Sequence, residues 1–169
     1  MIMFLGQESP VVIVSEIFVT HRGKLLMFRR SPQSRRFPNV LMPPGGHVDM
    51  GEDVLSSVIR ETKEETGIKL AKKEVTLRAV AIHHHLDRKE SFLIFVFVAK
   101  LSKPQKAGQV SHEGSAEWAK ISELKKSKDL FPVVKDYLPH ILKNSGQILF
   151  TSVDCQNSQI NKIYSWIES

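Results

Sequence analysis

The stretch MPPGGHVDMGEDVLSSVIRETKEETGI, residues 42–68, carries the densest chemistry in the chain. It gathers Asp49, Glu52, Asp53, Glu61, Glu64 and Glu65 in a protein whose formal net charge is +6. On a helix, residues three and four apart share a face. Glu61, Glu64 and Glu65 therefore form one stripe, and Leu55, Val58, Ile59 and Thr62 form another that should meet a core. Like charges so placed repel by roughly a few tenths of a kcal/mol per pair in water. An interleaved lysine would relieve this, yet Lys63 falls off the face and Arg60 sits one turn before Glu64. Clustered carboxylates on a rigid helix suit a hard divalent cation such as Mg²⁺ or Mn²⁺. A plain solvated acidic face is the other reading of the helix taken alone.

The residues ahead of the helix add to the pattern. Pro43 and Pro44 stiffen the approach, while Gly45 and Gly46 let the backbone come close to a metal or a phosphate. From Gly46 the chain runs five residues to Glu52, seven more to Arg60-Glu61, then Thr62, Lys63, Glu64-Glu65, Thr66 and Gly67-Ile68. This spacing resembles the Nudix box, over residues 46–68. The one departure is Thr62, where the family usually has a bulky aliphatic residue. Threonine is β-branched and keeps a methyl group for the core.

The resemblance implies a Nudix fold: a mixed β-sheet sandwiched between α-helices, of class α/β, with a catalytic loop–helix–loop. It also implies Mg²⁺-dependent hydrolysis of a diphosphate linkage in a nucleoside diphosphate joined to another group. By analogy Glu61, Glu64 and Glu65 hold Mg²⁺ (or Mn²⁺) with help from the Gly46 carbonyl, and one of them acts as base. Glu52 lies near the metals and substrate beside Gly45, and Arg60 orients the glutamates. A further metal-binding carboxylate is expected before the last family strand, from Glu113 in preference to Glu117.

Substrate choice is expected outside the box. Arg29 and Arg30 end a strand in a layout similar to MutT-type enzymes, where such arginines meet the substrate phosphates; Arg35 and Arg36 are expected to be solvated. Phe92, Phe95 and Phe97 could stack a base but are read as core, as is Trp118. His83, His84 and His85 cannot all converge, because neighbours on a strand point to opposite faces; at most one or two of them are expected near substrate. The proline that often marks ADP-ribose pyrophosphatases and the tyrosine that tends to mark dinucleoside polyphosphate hydrolases are both missing beyond the box. This favours a MutT-like nucleoside triphosphate pyrophosphatase acting on a small nucleotide. An RNA 5′-end pyrophosphohydrolase, an ADP-ribose or nucleotide-sugar pyrophosphatase, and a non-catalytic nucleotide-binding regulator are the alternatives.

These side chains need a scaffold. PVVIVSEIFVT, LLMFRR, EVTLRAVAIHHHL, SFLIFVFVAKL, EWAKI and QILFTSV read as strands, the fourth apolar on both faces as a central strand would be. EDVLSSVIRETKEETG reads as a helix stopped by Gly67, DLFPVVKDYLPHILKNSG as a second, bent at Pro139, and QINKIYSWIE as a last helix. The 169 residues suit one domain, 1–169, as monomer or homodimer. A basic pI near 9.5 suits polyanionic partners. The lone Cys155 excludes an internal disulfide and is compatible with a reducing cytoplasm. No apolar run reaches a membrane span, and MIMFLGQESP lacks the basic and apolar regions of a signal peptide, so a cytoplasmic protein is expected.

Overall fold

The computed structural model describes residues 9–108, 111–143, 146–156 and 159–167. Most of the N-terminal stretch MIMFLGQESP, residues 1–8, lies outside them. Strands are β1 Val11–His21, β2 Lys24–Arg30, β3 Leu41–Met42, β4 Gly45–His47, β5 Val75–His85, β6 Glu90–Lys100, β7 Gly114–Lys120, β8 Leu149–Gln156 and β9 Gln159–Ile167. Helices are α1 Val54–Thr66, the short α2 Ile121–Leu124 and α3 Pro132–Leu142. The strands form one mixed sheet in the order β3-β2-β1-β6-β5-β8-β9, with β4 also on β1 and β7 also on β2. β1 and β6 pair in parallel, as do β5 and β8; the other pairs are antiparallel.

Strand alternation sorts the core into two layers. Ile17, Val19, Leu26, Phe97 and Ala99 face α1 and bury Val58 and Ile68. Phe18, Leu25, Met27, Ala81, Ile94 and Val96 face the other way, onto Val133, Leu138 and Ile141 of α3. β6 is buried on both faces, as its unbroken apolar run implies. Thr62 is fully buried; its hydroxyl donates to the Val58 carbonyl, so the methyl packs without orphaning the oxygen.

α1 is fixed at both ends by local chemistry. Asp53 caps it, its Oδ1 accepting from the Leu55 and Ser56 N–H groups at 3.0 and 2.9 Å. Gly67 closes it in the left-handed conformation at φ 77°. Pro139 is tolerated inside α3.

The C-terminal element corrects one expectation. Residues 159–167 are strand β9, not a helix. Cys155 pairs with Ile160 but Asp154 pairs with Lys162, so a bulge inserts Asn161. A bulge adds one residue to a strand. Ile160 and Ile163 therefore both pack on the core although three apart, which mimics helical spacing. Among the described residues, no helix is long and apolar enough to cross a membrane.

Candidate active site

The prolines and glycines ahead of α1 run against β1. The Ile17 N–H donates to the Pro44 carbonyl at 3.0 Å, and Glu16 faces Gly45 in the antiparallel register. A side chain at Gly45 would collide with the Ser15 carbonyl, so only glycine fits there. At Gly46 an added Cβ would fall 2.5 Å from the Glu61 carboxyl carbon. The loop backbone is thereby pressed onto the carboxylates of α1.

Glu61 and Glu65 line an open cleft with Gly45, Gly46, Arg30, Asp49 and Glu113. The Gly45 N–H donates to Glu65 Oε2 at 2.9 Å. Burial pushes the Glu65 carboxyl up to about 8; the Gly45 N–H opposes this, while the charges of Glu61 and Glu113 add to it. Burial likewise raises Glu61, against the pull of Arg60. These are acids gathered closer than their own charges favour.

Arg60 is the hub beside them. It donates to both Glu52 oxygens at 3.1 and 2.9 Å, to Glu61 at 2.8 Å, to Glu64 at 3.2 Å and to the His47 carbonyl at 3.2 Å. The guanidinium holds Glu52 below the usual carboxylate range. Glu52 and Glu64 thus stand one step back from the cleft, gripped by Arg60, and neither lines it. Among the described residues, no three His, Cys, Asp or Glu side chains converge on one point as a closed metal cage. Mg²⁺ does not need one: it binds through one or two carboxylates plus waters and substrate phosphates. Glu61, Glu65, Glu113 and Gly46 place oxygen atoms of that chemical class along one cleft.

The paired arginines separate. Leu26, Phe28 and Arg30 alternate with Leu25, Met27 and Arg29 along β2, so the two side chains leave opposite faces. Arg30 reaches the cleft. Arg29 is held by Asp129 at 3.0 Å and Glu117 at 3.3 Å, away from it. This corrects the expectation that both meet phosphates, and it removes Glu117 from the candidate carboxylates.

A second, apolar cavity shares Arg30, Gly45, Gly46 and His47 with the cleft. Phe92, Ile94, Met42, Phe37, His83 and His85 line it. His85 stands edge-on to Phe92, with ring centroids 5.2 Å apart. His84 points away, to the Ser91 hydroxyl at 2.9 Å. His83 is buried, and its Nε2 has no hydrogen-bond partner among the described residues. Burial lowers its pKa to about 4, so the ring is neutral near pH 7. Phe97 stays in the core, Phe95 packs against it, and Trp118 packs there with its indole N–H on the Gln105 carbonyl. Sequence reasoning missed Glu16, a buried acid on the cavity wall; its signal was a lone charge inside an apolar strand. It also missed Met42, Phe37, Phe131 and Arg88, which only the folded topology brings in.

A sequence signature of the NUDIX domain matches residues 9–141, the span that builds this loop, helix and sheet. The chain belongs to the Nudix hydrolase family. This Nudix protein is 46% identical over 69 residues to the m7GpppN-mRNA hydrolase NUDT17 of Danio rerio, covering 41% of this chain and 23% of that one. It thus spans less than a quarter of that relative's length. It is 32% identical over 131 residues to an ADP-ribose pyrophosphatase of Methanocaldococcus jannaschii, covering 76% of this chain and 73% of that protein. A MutT protein from Bacillus halodurans has the same fold, with a TM-score of 0.76 at 23% identity, covering 91% of this chain and 97% of that one.

Proposed function

We propose that this Nudix protein is a Mg²⁺-dependent (or Mn²⁺-dependent) pyrophosphohydrolase acting on a small nucleotide, best a nucleoside triphosphate cleaved to monophosphate and pyrophosphate. The observation that carries this reading is the adjacency of two lobes. A cleft of mutually repelling carboxylates opens beside an apolar, aromatic cavity, and the two share Arg30 and His47. The cavity suits a flat heteroaromatic ring, with Phe92 as an apolar wall and the His83 Nε2 free to hydrogen-bond a ring edge. The cleft suits a diphosphate brought in with its cation. The whole described chain serves as one domain in this reading, since Leu149 and Val153 of β8 join the core of β5 and α3.

A bound divalent cation would neutralise the phosphate oxygens and lower the pKa of a coordinated water. Glu61, Glu64, Glu65, Glu113 and the Gly46 carbonyl would hold it. Arg60 keeps Glu61 oriented through its 2.8 Å bond and is itself fixed by Glu52. Arg30 offers a fork of donors to a phosphate. One of these glutamates would act as the base; the Gly45 N–H orients the Glu65 carboxylate within the cleft.

A second reading, ADP-ribose hydrolysis, is favoured by the relative named for that activity, which matches most of the chain. Product analysis separates the two. Nucleoside triphosphates, ADP-ribose, a dinucleoside tetraphosphate and 5′-triphosphorylated RNA are incubated with Mg²⁺ at mildly alkaline pH. Release of monophosphate and pyrophosphate from a free triphosphate is expected. If another substrate exceeds every triphosphate by more than about tenfold in kcat/KM, a transition-state preference of about 1.4 kcal/mol, the triphosphate reading fails.

A further inference from the structure

The apolar cavity of Phe92 and His83 meets three different surroundings. One is the carboxylate cleft, joined through Arg30, Gly45, Gly46 and His47. A second is cationic: Arg36 and Arg88 line it and both pair with Glu90, at 3.1 and 3.6 Å. The Arg36 guanidinium also lies over the Phe92 ring, 5.6 Å from its centroid, rather than standing free in solvent. The third is made of rings, those of Phe37, His85 and Phe131. The same three rings line a further cavity of about 230 Å³. No residue lines both that cavity and the carboxylate cleft. The aromatic cavity therefore lies between the two.

The further cavity is apolar within and polar at its rim. Val40, Leu130, Cys155 and Ile160 line it, with the exposed Lys128 and Asp129 at its edge. Cys155 is buried and faces His85 in the parallel register, which sets its thiol beside one of the dividing rings. Burial pushes that thiol up, so it stays neutral, and burial holds His85 below its usual range. The division between the cavities rests on side chains. Phe37 stands on the loop after β2, its ring edge-on to Phe131 with centroids 4.9 Å apart. Its backbone lies in the left-handed region at φ 52°, which a bulky residue adopts only at a cost. The loop bears that strain and holds a ring between two cavities, and a loop residue moves without repacking the sheet.

Resting on the nucleotide reading above, we infer that this second cavity binds an apolar substituent carried by the base of the nucleotide, with Phe37 as the movable partition. Its ligand class is a nucleotide whose base bears an alkyl or aryl group on the edge remote from the phosphates. The space is sufficient, since a dry apolar cavity of about 150 Å³ holds a benzene ring. The other two borders do not suit such a group, because it would bury the carboxylates or the arginines without giving them a polar partner.

Binding is tested without turnover, on nucleoside monophosphates, which have no anhydride to cleave. AMP, GMP and CMP are titrated calorimetrically into the full chain with Mg²⁺, each beside the analogue with a benzyl group on its exocyclic amine. At least one benzylated ligand is expected to bind about tenfold or more tighter than its parent, as burial of a ring-sized apolar group would give. Val40→Phe and Ile160→Phe fill the cavity from different elements and should each bring that pair within about twofold, with the thermal midpoint checked for both; the two variants guard against a failure of one to fold. A wild type that binds no benzylated ligand tenfold tighter than its parent overturns the inference. A gain that survives in both filled variants overturns it as well, because the substituent then lies elsewhere. A protein that hydrolyses triphosphates but shows no benzyl gain would keep the hydrolase reading and lose the second cavity. One that shows the gain, and its loss in the filled variants, yet hydrolyses no nucleotide would keep the cavity and lose the hydrolase reading.

Discussion

His83 should make the protein lose stability in mild acid, and the size follows from its burial. The ring lies on β5 with 4% of its surface exposed, opposite Phe92 of β6 and Val153 of β8. His84 and His85 flank it on its own strand, and Glu16, Arg30, Arg36 and Arg88 line the same cavity. Burial first, then the two neighbouring histidines, lower its pKa from 6.5 to about 4. The unfolded chain binds a proton at this histidine below its ordinary pKa; the folded chain does not until near pH 4. Unfolding therefore takes up a proton in this window, and stability falls as pH falls from about 6.5 to about 4. At about 1.4 kcal/mol for each pH step of one across that window, the whole loss is about 3 kcal/mol, of which about 2 falls between pH 7 and pH 5. Urea unfolding of the wild type and His83→Gln at pH 7, 6 and 5 checks this. Glutamine does not titrate, so the difference between the two proteins isolates His83 from the other acids and bases. The wild type should lose about 2 kcal/mol more than the variant over that range. A difference that stays within about 0.5 kcal/mol across the range, smaller than a third of the expected change, would mean that the folded ring takes up its proton freely. The buried, neutral description of the cavity wall would then be wrong.

Other expectations are quickly tested. Glu61→Gln and Glu65→Gln should each lower kcat by at least about 10²-fold while the thermal midpoint holds, since each removes charge from a proposed cation site; near wild-type turnover in both would sink that site. The two glycines should fail differently. Gly45→Ala, whose methyl meets the rigid Ser15 carbonyl, should cost at least about 2 kcal/mol in urea unfolding. Gly46→Ala, whose methyl meets the movable end of Glu61, should instead show its loss in steady-state kcat. Arg30→Ala should lower kcat/KM by about tenfold or more, whereas Arg29→Ala should leave kinetics alone and cost at most about 1 kcal/mol, the worth of half-exposed ion pairs.

The loop–helix–loop was legible because its function fixes residue types at fixed spacing over a short span. Asp53, Gly67 and the buried stripe of α1 follow from local rules that act within a few residues. The alternating strands were legible for the same reason. What failed needed knowledge of partners distant in the chain. Arg29 and Arg30 looked like a pair, but the two-residue repeat of β2 sends them to opposite layers, and Asp129, 100 residues on, claims Arg29. Residues 159–167 have apolar spacing that a helix and a bulged strand share, and the pairing with β8 decides between them. Arg36 and Arg88 meet only because the loop after β2 folds over the β5–β6 turn. Glu52 and Glu64 have the expected spacing, and Arg60 joins both to Glu61 in one ion-pair network whose long reach spacing does not reveal.

The C-terminal hairpin has a consequence for solubility. The family signature ends at residue 141, ahead of β8 and β9. β8 pairs along Ala79–His85, so without it the outer backbone groups of β5 would stand bare. An open strand edge of that length invites other chains to add to it. A shortened protein ending near residue 143 would carry this sticky border beside its own ligand cavity, and self-association would compete with nucleotide entry. The hairpin moves the border outward to β9, away from His83 and His85, where Tyr164 and Trp166 are left half-exposed. In expression trials, then, the hairpin should behave as a built-in guard against clumping rather than as a dispensable tail.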